Sequence, residues 1–250
     1  MSLNLVELAS VADQFGVSDE QVRRDHVISH LLALISRELS DEILFFGGTA
    51  LARTHLLNGR LSEDLDLIAL SPRRDVATAL DGLLPRGASR ATGALRWNPS
   101  LSAVRDTDAA ALEGPHGVRL KVQLLRGEHY AAWPTERRAI HQRYSDAPEA
   151  TLSVPTRASF TAWKTTTWAD RRAPRDLWDL HALAGVGAID RDALDLYRRH
   201  GPTNRAPSPD LFREPPSEQA WRAALAGQTR LSVTAAQALN EVRGAWSLLN

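Results

Sequence analysis

The sequence predicts an α/β (α+β) protein, with a small mixed sheet and flanking helices in an N-terminal lobe and a helical C-terminal lobe. Two observations carry this prediction. Short apolar runs of strand length, such as Ile43–Phe46, alternate with turns and helical segments in the first part of the chain. From Thr156 onwards, apolar residues recur at helical spacing almost to the end. We therefore place the lobes at residues 1–150 and 151–250.

The composition is that of a globular protein with a hydrophobic core. Apolar residues make up 43% and charged residues 24% of the 250 residues, which is ordinary for such a chain. No apolar run approaches the ~20 residues of a membrane span, and the start, MSLNLVELAS, does not resemble a secretory signal. The chain has no cysteine, which excludes disulfides and thiolate metal sites. We expect a cytoplasmic protein.

The charges balance, with 30 basic and 30 acidic residues. The net charge therefore does not predict a polyanion-binding protein, although phosphate binding depends on local charge placement. Among the basic residues only Lys121 and Lys164 are lysines. A lysine in such an arginine-rich chain is informative, because a compact ammonium and a planar guanidinium are not interchangeable.

Residues 43–70 predict two strands around a glycine turn. Gly47-Gly48 ends the first strand, and Thr49 begins a helical segment. The second strand carries Asp64 and Asp66, which point to the same face with Cα atoms about 7 Å apart. Two carboxylates beside a glycine turn that opens a helix suit metal-dependent phosphate chemistry. The carboxylates would hold Mg²⁺, and the helix N–H groups would receive phosphate oxygens.

The remaining elements follow from periodicity, capping and turn signals. Helices are predicted at residues 3–15, at 18–39 with a Ser18–Gln21 capping box, and at 72–84. Strands are predicted at 92–106 and 117–126, followed by a mixed connecting segment, 127–155. In the C-terminal lobe, helices are predicted at 156–172, 175–186, 190–199 and 217–249 (one or two), with the proline-rich segment 200–216 as a long loop or flexible strap.

One helix carries a histidine pair. His26 and His30 lie one turn apart, which is the spacing of a helical zinc pair. The segment reads HVISH, so the glutamate of an HExxH motif is missing. No third ligand is apparent in the sequence, and we expect a structural role for the two histidines.

The segments GGTALAR (47–53) and RLSEDLDL (60–67) resemble the signature motifs of the nucleotidyltransferase superfamily. They are most similar to its AbiEii/AbiGii branch, which includes the MenT-type toxins. Lys164 on one helix, followed by Arg175-Asp176 and Asp179-Leu180 on the next, continues the resemblance. It covers about residues 20–185 in order.

The resemblance implies a nucleotidyltransferase-like N-terminal lobe and a Mg²⁺-dependent enzyme, with Mn²⁺ as an alternative ion. It implies a growth-inhibiting toxin that transfers a nucleoside monophosphate from an NTP to the 3′ end of tRNA, with a separately encoded antitoxin. Asp64 and Asp66 would be metal ligands, and Asp176 or Asp179 would assist the acceptor, with Asp179 favoured by the family pattern. Contacts to the nucleotide would come from Gly47, Gly48, Thr49, Arg60, Ser62 and Lys164.

In this superfamily a third acidic residue commonly lies on the strand beside the Asp-x-Asp strand. The corresponding positions here are Arg119, Lys121 and Gln123, none of them acidic. Two other functions stay open beside this one, and the missing acidic residue supports the second of them. One is an antibiotic-type transferase that modifies a small molecule in an acidic cleft. The other is a degenerate protein that binds nucleotide or a partner.

Several of these residues also have purely structural interpretations. Thr49 is a possible N-cap, and Arg53 is expected on a solvated helix face. Arg60 and Ser62 are equally well explained as supports of the second strand. The residues Arg175, Asp176 and Asp179 are compatible with an ordinary salt-bridge set. An arginine cluster at 171, 172 and 175 is expected to face an RNA acceptor.

Overall fold

The computed structural model describes residues 3–130 and 133–249, so the first two residues of the N-terminal stretch considered as a signal lie outside it. It confirms the α/β class. The strands are β1 (Ile43–Phe46), β2 (Asp64–Ala69), β3 (Arg96–Trp97), β4 (Ala110–Glu113), β5 (Arg119–Arg126), β6 (Thr135–Ala139) and β7 (Thr151–Pro155). The helices are α1 (Leu5–Phe15), α2 (Asp19–Glu38), α3 (Gly47–Thr54), α4 (Arg73–Thr92), α5 (Arg157–Arg171), α6 (Pro174–Gly185), α7 (Arg191–His200), α8 (Glu218–Leu225) and α9 (Ala235–Ser247).

The strands form one mixed sheet in the order β3-β4-β5-β2-β1-β7-β6. The central strand β2 is antiparallel to β1 and parallel to β5. β7 joins the other side of β1 in parallel, while β4 is antiparallel to both of its neighbours, β3 and β5. The two aspartates of β2 therefore lie in the middle of the sheet, where strands on both sides fix their position.

Three predictions for this part of the chain were wrong. The strand expected at 92–106 is limited to the two residues of β3, and β4 was not predicted. The segment 127–155, expected to be a connection, contributes β6 and β7. The helix expected to end near residue 84 continues to Thr92 through Pro85, because its second half buries Leu84 and Ala88. That burial compensates for the hydrogen bond that proline cannot donate.

Helix α2 begins at the predicted residue but without the predicted capping box. Ser18 accepts a hydrogen bond from the Gln21 backbone N–H, as expected. The Gln21 side chain does not return to the cap. Its amide donates to the Leu61 carbonyl and its oxygen accepts from Arg24. Gln21 thus ties α2 to the segment that precedes β2.

The chain divides into two compact units. Unit 1 comprises Met1–Tyr130 and Glu136–Val154, and unit 2 comprises Ala131–Thr135 and Pro155–Asn250. The described helices of unit 2 are the predicted ones, with 217–249 divided into α8 and α9. Its core includes Trp168, Trp221 and Trp246. No helix in the described ranges combines the length and the apolar character needed to cross a membrane.

The segment 200–216 packs more closely than the flexible strap that its prolines suggested. It contains a 3-10 turn, Pro209–Phe212, whose Leu211 and Phe212 side chains are buried in the core of unit 2. The Leu211 carbonyl accepts hydrogen bonds from the Trp168 indole and from Arg172. These contacts fix the segment on α5.

Candidate active-site residues

The glycine turn between β1 and α3 lies directly against the Asp66 carboxylate. Gly47 has φ +77°, a left-handed conformation that favours glycine. A Cβ atom at Gly47 would lie 2.1 Å from Asp66 Oδ2, far inside van der Waals contact. Only glycine therefore permits this close approach of backbone and carboxylate.

Asp64 and Asp66 lie on one face of β2, as predicted. Both are half-buried, while Leu65 and Leu67 between and after them are fully buried on the other face. Asp66 lies opposite Phe46, the last residue of β1 before the turn. This register brings one carboxylate next to the start of α3.

Helix α3 offers its N-terminus beside these carboxylates. Its N-cap is Phe46, which makes no side-chain capping hydrogen bond. The first N–H groups of a helix lack intrahelical acceptors, and the helix dipole favours an anion there. Thr49 is not the N-cap: it lies inside the helix, is buried, and donates its hydroxyl hydrogen bond to the Asp64 carbonyl. It therefore fastens α3 to the beginning of β2.

The side chains of Arg60 and Ser62 lie against Gly48, the second glycine of the turn. A Cβ atom at Gly48 would lie 2.4 Å from Arg60 Nη2 and 3.1 Å from Ser62 Oγ. Both side chains are buried. Gly47, Gly48, Thr49, Arg60, Ser62, Asp64 and Asp66 are thus brought together within unit 1. A guanidinium at the turn adds positive charge where a phosphate would approach the helix N-terminus.

The strand next to β2 has no acidic residue at the positions that pair with the two aspartates. In the parallel register of β2 and β5, Asp64 lies opposite Lys121 and Asp66 opposite Gln123. The Gln123 amide donates to the Thr107 carbonyl. Lys121 is exposed on the same sheet face as the carboxylates, as is Arg119. This face therefore pairs two carboxylates with neighbouring positive charge.

The three predicted residues of unit 2 form a buried ionic cluster. Lys164 Nζ lies 3.1 Å from Asp176 Oδ1 and 2.7 Å from Asp179 Oδ2. Arg171 binds Asp176 through two hydrogen bonds of 2.7 and 3.0 Å. Asp176 is fully buried and Asp179 almost so. Lys164 is therefore held in one position by two carboxylates.

Asp176 is kept ionised by its neighbours. Burial alone would raise its pKa, but Lys164 and Arg171 together hold the pKa of this carboxyl below its ordinary value of 3.8. A carboxylate held in this way is a weak base and serves to position Lys164. Asp179 makes the shorter of the two carboxylate contacts to Lys164.

The lowered pKa of Asp176 predicts an acid-dependent loss of stability. The stabilisation of the fold by ionised Asp176 is fully present above the ordinary aspartate pKa. It is lost as the pH falls through the lower pKa of Asp176 in the folded state. We expect Asp176→Asn to cost about 3 kcal/mol of unfolding free energy near neutral pH. The difference in unfolding free energy between Asp176→Asn and wild type should become smaller below about pH 4. Tryptophan fluorescence is a suitable probe because every tryptophan except Trp97 lies in unit 2. A difference that stays constant down to the acid transition would contradict this prediction.

The arginine cluster expected to face RNA is engaged within unit 2. Arg171 pairs with Asp176. Arg172 donates to the Leu211 carbonyl and stacks over the Trp168 ring. Arg175 donates to the Ala224 carbonyl at 3.2 Å. Charge reversal at these arginines would therefore disturb the packing of unit 2, and it is not a clean test of RNA binding.

Arg53 was predicted incorrectly as a solvated residue. It is 1% exposed, and its guanidinium lies 2.7 Å from Asp25 Oδ1. It also donates to the His141 carbonyl and the Gln142 side chain. The sequence feature that could have indicated a buried partner for Arg53 is Asp25. It is a charged residue on the buried stripe of α2, three positions after Val22. A buried aspartate requires a cationic partner.

The structure brings a third potential metal ligand, not apparent in the sequence, to the histidine pair. Asp146, 120 residues further along the chain than His26, lies 3.0 Å from its Nε2 atom. His26, His30 and Asp146 form a group whose potential ligand atoms all lie within 4.8 Å of one another. No sequence signal marks Asp146, because it belongs to an irregular segment.

The two carboxylates of β2 fit a divalent metal ion. They are hard oxygen donors on one face, which Mg²⁺ prefers, and the missing Cβ of Gly47 leaves Asp66 in direct contact with the turn. Asp64 and Asp66 would hold the ion, and the start of α3 would receive phosphate oxygens. The arrangement in unit 1 is therefore suited to binding a metal-bound polyphosphate.

Comparison with known proteins identifies the family of this chain. A search of curated proteins finds no relative. The family model described as nucleotidyl transferase AbiEii toxin, type IV TA system, matches residues 30–241, more than four fifths of the chain. The matched range includes β1, the glycine turn, β2 and the Lys164 cluster. The chain belongs to the AbiEii family of nucleotidyl transferase toxins from type IV toxin–antitoxin systems, in which a separate antitoxin is the partner.

Proposed function

We propose that the chain is a Mg²⁺-dependent nucleotidyltransferase toxin that transfers a nucleoside monophosphate from an NTP to the 3′ end of tRNA. The observation that carries the proposal is the contact between the Asp66 carboxylate and the Gly47 turn at the start of α3. It joins a metal-binding face to a phosphate-binding helix N-terminus. We also propose a cytoplasmic location, where NTP and tRNA are both present.

The reaction forms a bond between the acceptor hydroxyl oxygen and the α-phosphorus. The bond from this phosphorus to the oxygen that bridges to the β-phosphate breaks, and pyrophosphate leaves with the electron pair. Asp64 and Asp66 would hold the metal, which neutralises phosphate charge and orients the triphosphate when bound. Mn²⁺ is an alternative ion. In our proposal Asp179 accepts the hydroxyl proton.

The other assigned residues bind and position the nucleotide. The N–H groups of the Gly47–Thr49 turn and the Arg60 guanidinium receive phosphate oxygens, and Ser62 supports the turn. Lys164 supplies a point charge for the β- and γ-phosphates, with Asp176 fixing its position. Catalysis then depends mainly on positioning and charge neutralisation.

Exposed Arg119 and Lys121 favour a polyanionic acceptor over an aminoglycoside. They lie on the carboxylate face of the sheet, on the strand next to β2. A cationic antibiotic would be repelled there, whereas RNA phosphates would be attracted. Transfer to tRNA should therefore fall with salt, and Arg119→Gln with Lys121→Gln should raise KM for tRNA more than KM for NTP.

Incubation of the protein with bulk tRNA and each NTP in Mg²⁺ tests the proposal. An α-labelled NTP should label tRNA, whereas the same NTP labelled at the γ-phosphate should not, because a nucleotide and not a phosphate is transferred. Periodate-oxidised tRNA, which lacks the terminal diol, should stay unlabelled. Labelling of an aminoglycoside in place of tRNA would establish the small-molecule alternative. Nucleotide binding without transfer to either would indicate a degenerate, binding-only protein.

Lys164→Arg tests whether Lys164 contacts the triphosphate. Arginine keeps the charge between Asp176 and Asp179, so we expect the fold to persist. A planar fork does not reproduce a compact ammonium at a phosphate, so kcat/KM for NTP should fall by about tenfold or more. Steady-state kinetics and a thermal melt separate the two effects. A wild-type kcat/KM in the arginine variant would leave Lys164 with a structural role alone.

A further inference from the structure

The group His26, His30 and Asp146 lies outside the proposed active-site residues and has the geometry of a metal site. His26 Nε2 lies 3.0 and 3.2 Å from the two Asp146 oxygens, and 3.2 Å from His30 Nε2. His30 Nε2 lies 3.5 Å from Asp146 Oδ2. The same ring nitrogen of each histidine therefore points at one common point, together with the carboxylate.

These spacings match a zinc coordination shell. At Zn–N and Zn–O bonds of about 2.0–2.1 Å, a tetrahedral ion places its ligand atoms about 3.3 Å apart. The observed separations of 3.0–3.5 Å centre on that value. The i, i+4 spacing of the histidines on α2 supplies two ligands from one helix face.

Hydrogen bonds between the three side chains explain this arrangement less completely than a bound metal ion does. When His26 Nε2–H donates to Asp146, a neutral His30 either accepts from that same proton or donates its own Nε2 proton to Asp146. The first arrangement shares one proton between two acceptors, and the second leaves the two ring nitrogens 3.2 Å apart with no hydrogen bond between them. A single cation at the common point uses the lone pairs of all three groups at once.

The surroundings hold the ligands in place. The Tyr144 ring packs edge-on against His26, with centroids 5.0 Å apart. The Tyr144 hydroxyl lies 3.0 Å from Asp25 Oδ2 and 3.1 Å from the Val22 carbonyl, and its single proton is shared between these two acceptors. This contact anchors the segment carrying Asp146 on α2. Such outer contacts orient metal ligands before the ion binds.

We propose that His26, His30 and Asp146 bind a structural Zn²⁺ ion that fastens the segment 140–150 to α2. Imidazole ligands favour zinc over magnesium. Side-chain exposures of 5%, 8% and 11% fit a four-coordinate site with a single non-protein ligand better than an iron site with several open positions. The three protein groups leave one position for water, and His26 lines an open groove with Arg23 and His116 through which an ion can enter.

Zinc binding at this site would also affect how α3 is held in unit 1. The fastened segment also carries Gln142 and Arg143, which contact Arg53 and the Ala52 carbonyl near the end of α3. Zinc would therefore stabilise the helix whose first residues form the glycine turn. Zinc binding itself does not depend on the proposed function. Only an effect of zinc on transferase activity would rest on it.

Metal analysis of protein with its affinity tag removed tests the proposal directly. After dialysis against a chelator and titration with Zn²⁺, elemental analysis should find about one tightly bound zinc per chain. His30→Gln and Asp146→Asn should each weaken binding at least tenfold. His181→Gln, in unit 2, is the matched control and should bind zinc like wild type. Co²⁺ in place of zinc should give visible absorption of a four- or five-coordinate ion, lost in both ligand variants.

Two further measurements make the result unambiguous. Removal of zinc should lower the melting temperature of wild type by several degrees and leave that of Asp146→Asn unchanged. Asp66→Ala should retain the zinc even though it lacks transferase activity, so failure of the proposed function would not be mistaken for failure of this site. Asp146→Asn carries the test if His30→Gln does not fold. Failure of wild type to bind zinc, equal binding by the ligand variants, or stoichiometric iron in place of zinc would overturn the proposal.

Discussion

Asp66→Ala is expected to reduce nucleotide transfer at least a hundredfold while barely changing the thermal melt. The variant removes a proposed metal ligand and with it several kcal/mol of transition-state stabilisation. The fold should tolerate the change, because Asp66 is only half-buried and shares its strand face with the like-charged Asp64. Transfer of α-labelled NTP to tRNA and a melting curve, both in Mg²⁺, measure the two effects.

Asp195→Ala provides the matched control for this prediction. Asp195 lies on α7, with a side chain 69% exposed and a single ion-pair contact of 3.8 Å to Arg198 among the described contacts. Its removal should leave the transfer rate unchanged. If Asp66→Ala kept more than a few per cent of wild-type transfer, Asp66 would not be a metal ligand of the reaction.

Arg53→Met should lower the free energy of unfolding by about 3 kcal/mol or more, because it leaves Asp25 ionised and poorly paired in the core of unit 1. Burial alone would raise the pKa of Asp25, but Arg53 and Arg143 hold it below the ordinary value. Arg143 remains 3.6 Å from Asp25 in the variant site, so it offsets part of the loss. Chemical denaturation followed by circular dichroism measures the effect.

Two variants separate burial from charge. Arg137→Met removes an arginine of an exposed ion pair with Asp41 and should change stability by less than about 1 kcal/mol. Asp25→Asn in the Arg53→Met background removes the poorly paired charge and should recover part of the loss. An Arg53→Met protein as stable as wild type would mean that this buried pair does not stabilise the fold.

The segments that the sequence predicted well are those whose signals are local. The run Ile43–Phe46, the two glycines and the alternation of Asp64 to Leu67 specify strand, turn and strand through neighbouring residues alone. The helices of unit 2 follow from apolar spacing and caps in the same way. Strand β4 (AALE) and the edge strand β6 (TERRA) escaped prediction because residues such as Ala and Glu have low strand propensity, so pairing with adjacent strands defines these elements.

The sequence by itself determined the α/β class, the shared face of Asp64 and Asp66, and membership of the nucleotidyl transferase family. The tertiary structure alone decided which charges are buried and what they contact. Arg53 and Asp25 lie on separate helices, and Asp146 is 120 residues from His26 along the chain. Lys164 contacts Asp176 and Asp179 because α5 and α6 pack together. Periodicity shows which face of an element is buried, but only packing determines which group of a distant element meets it there.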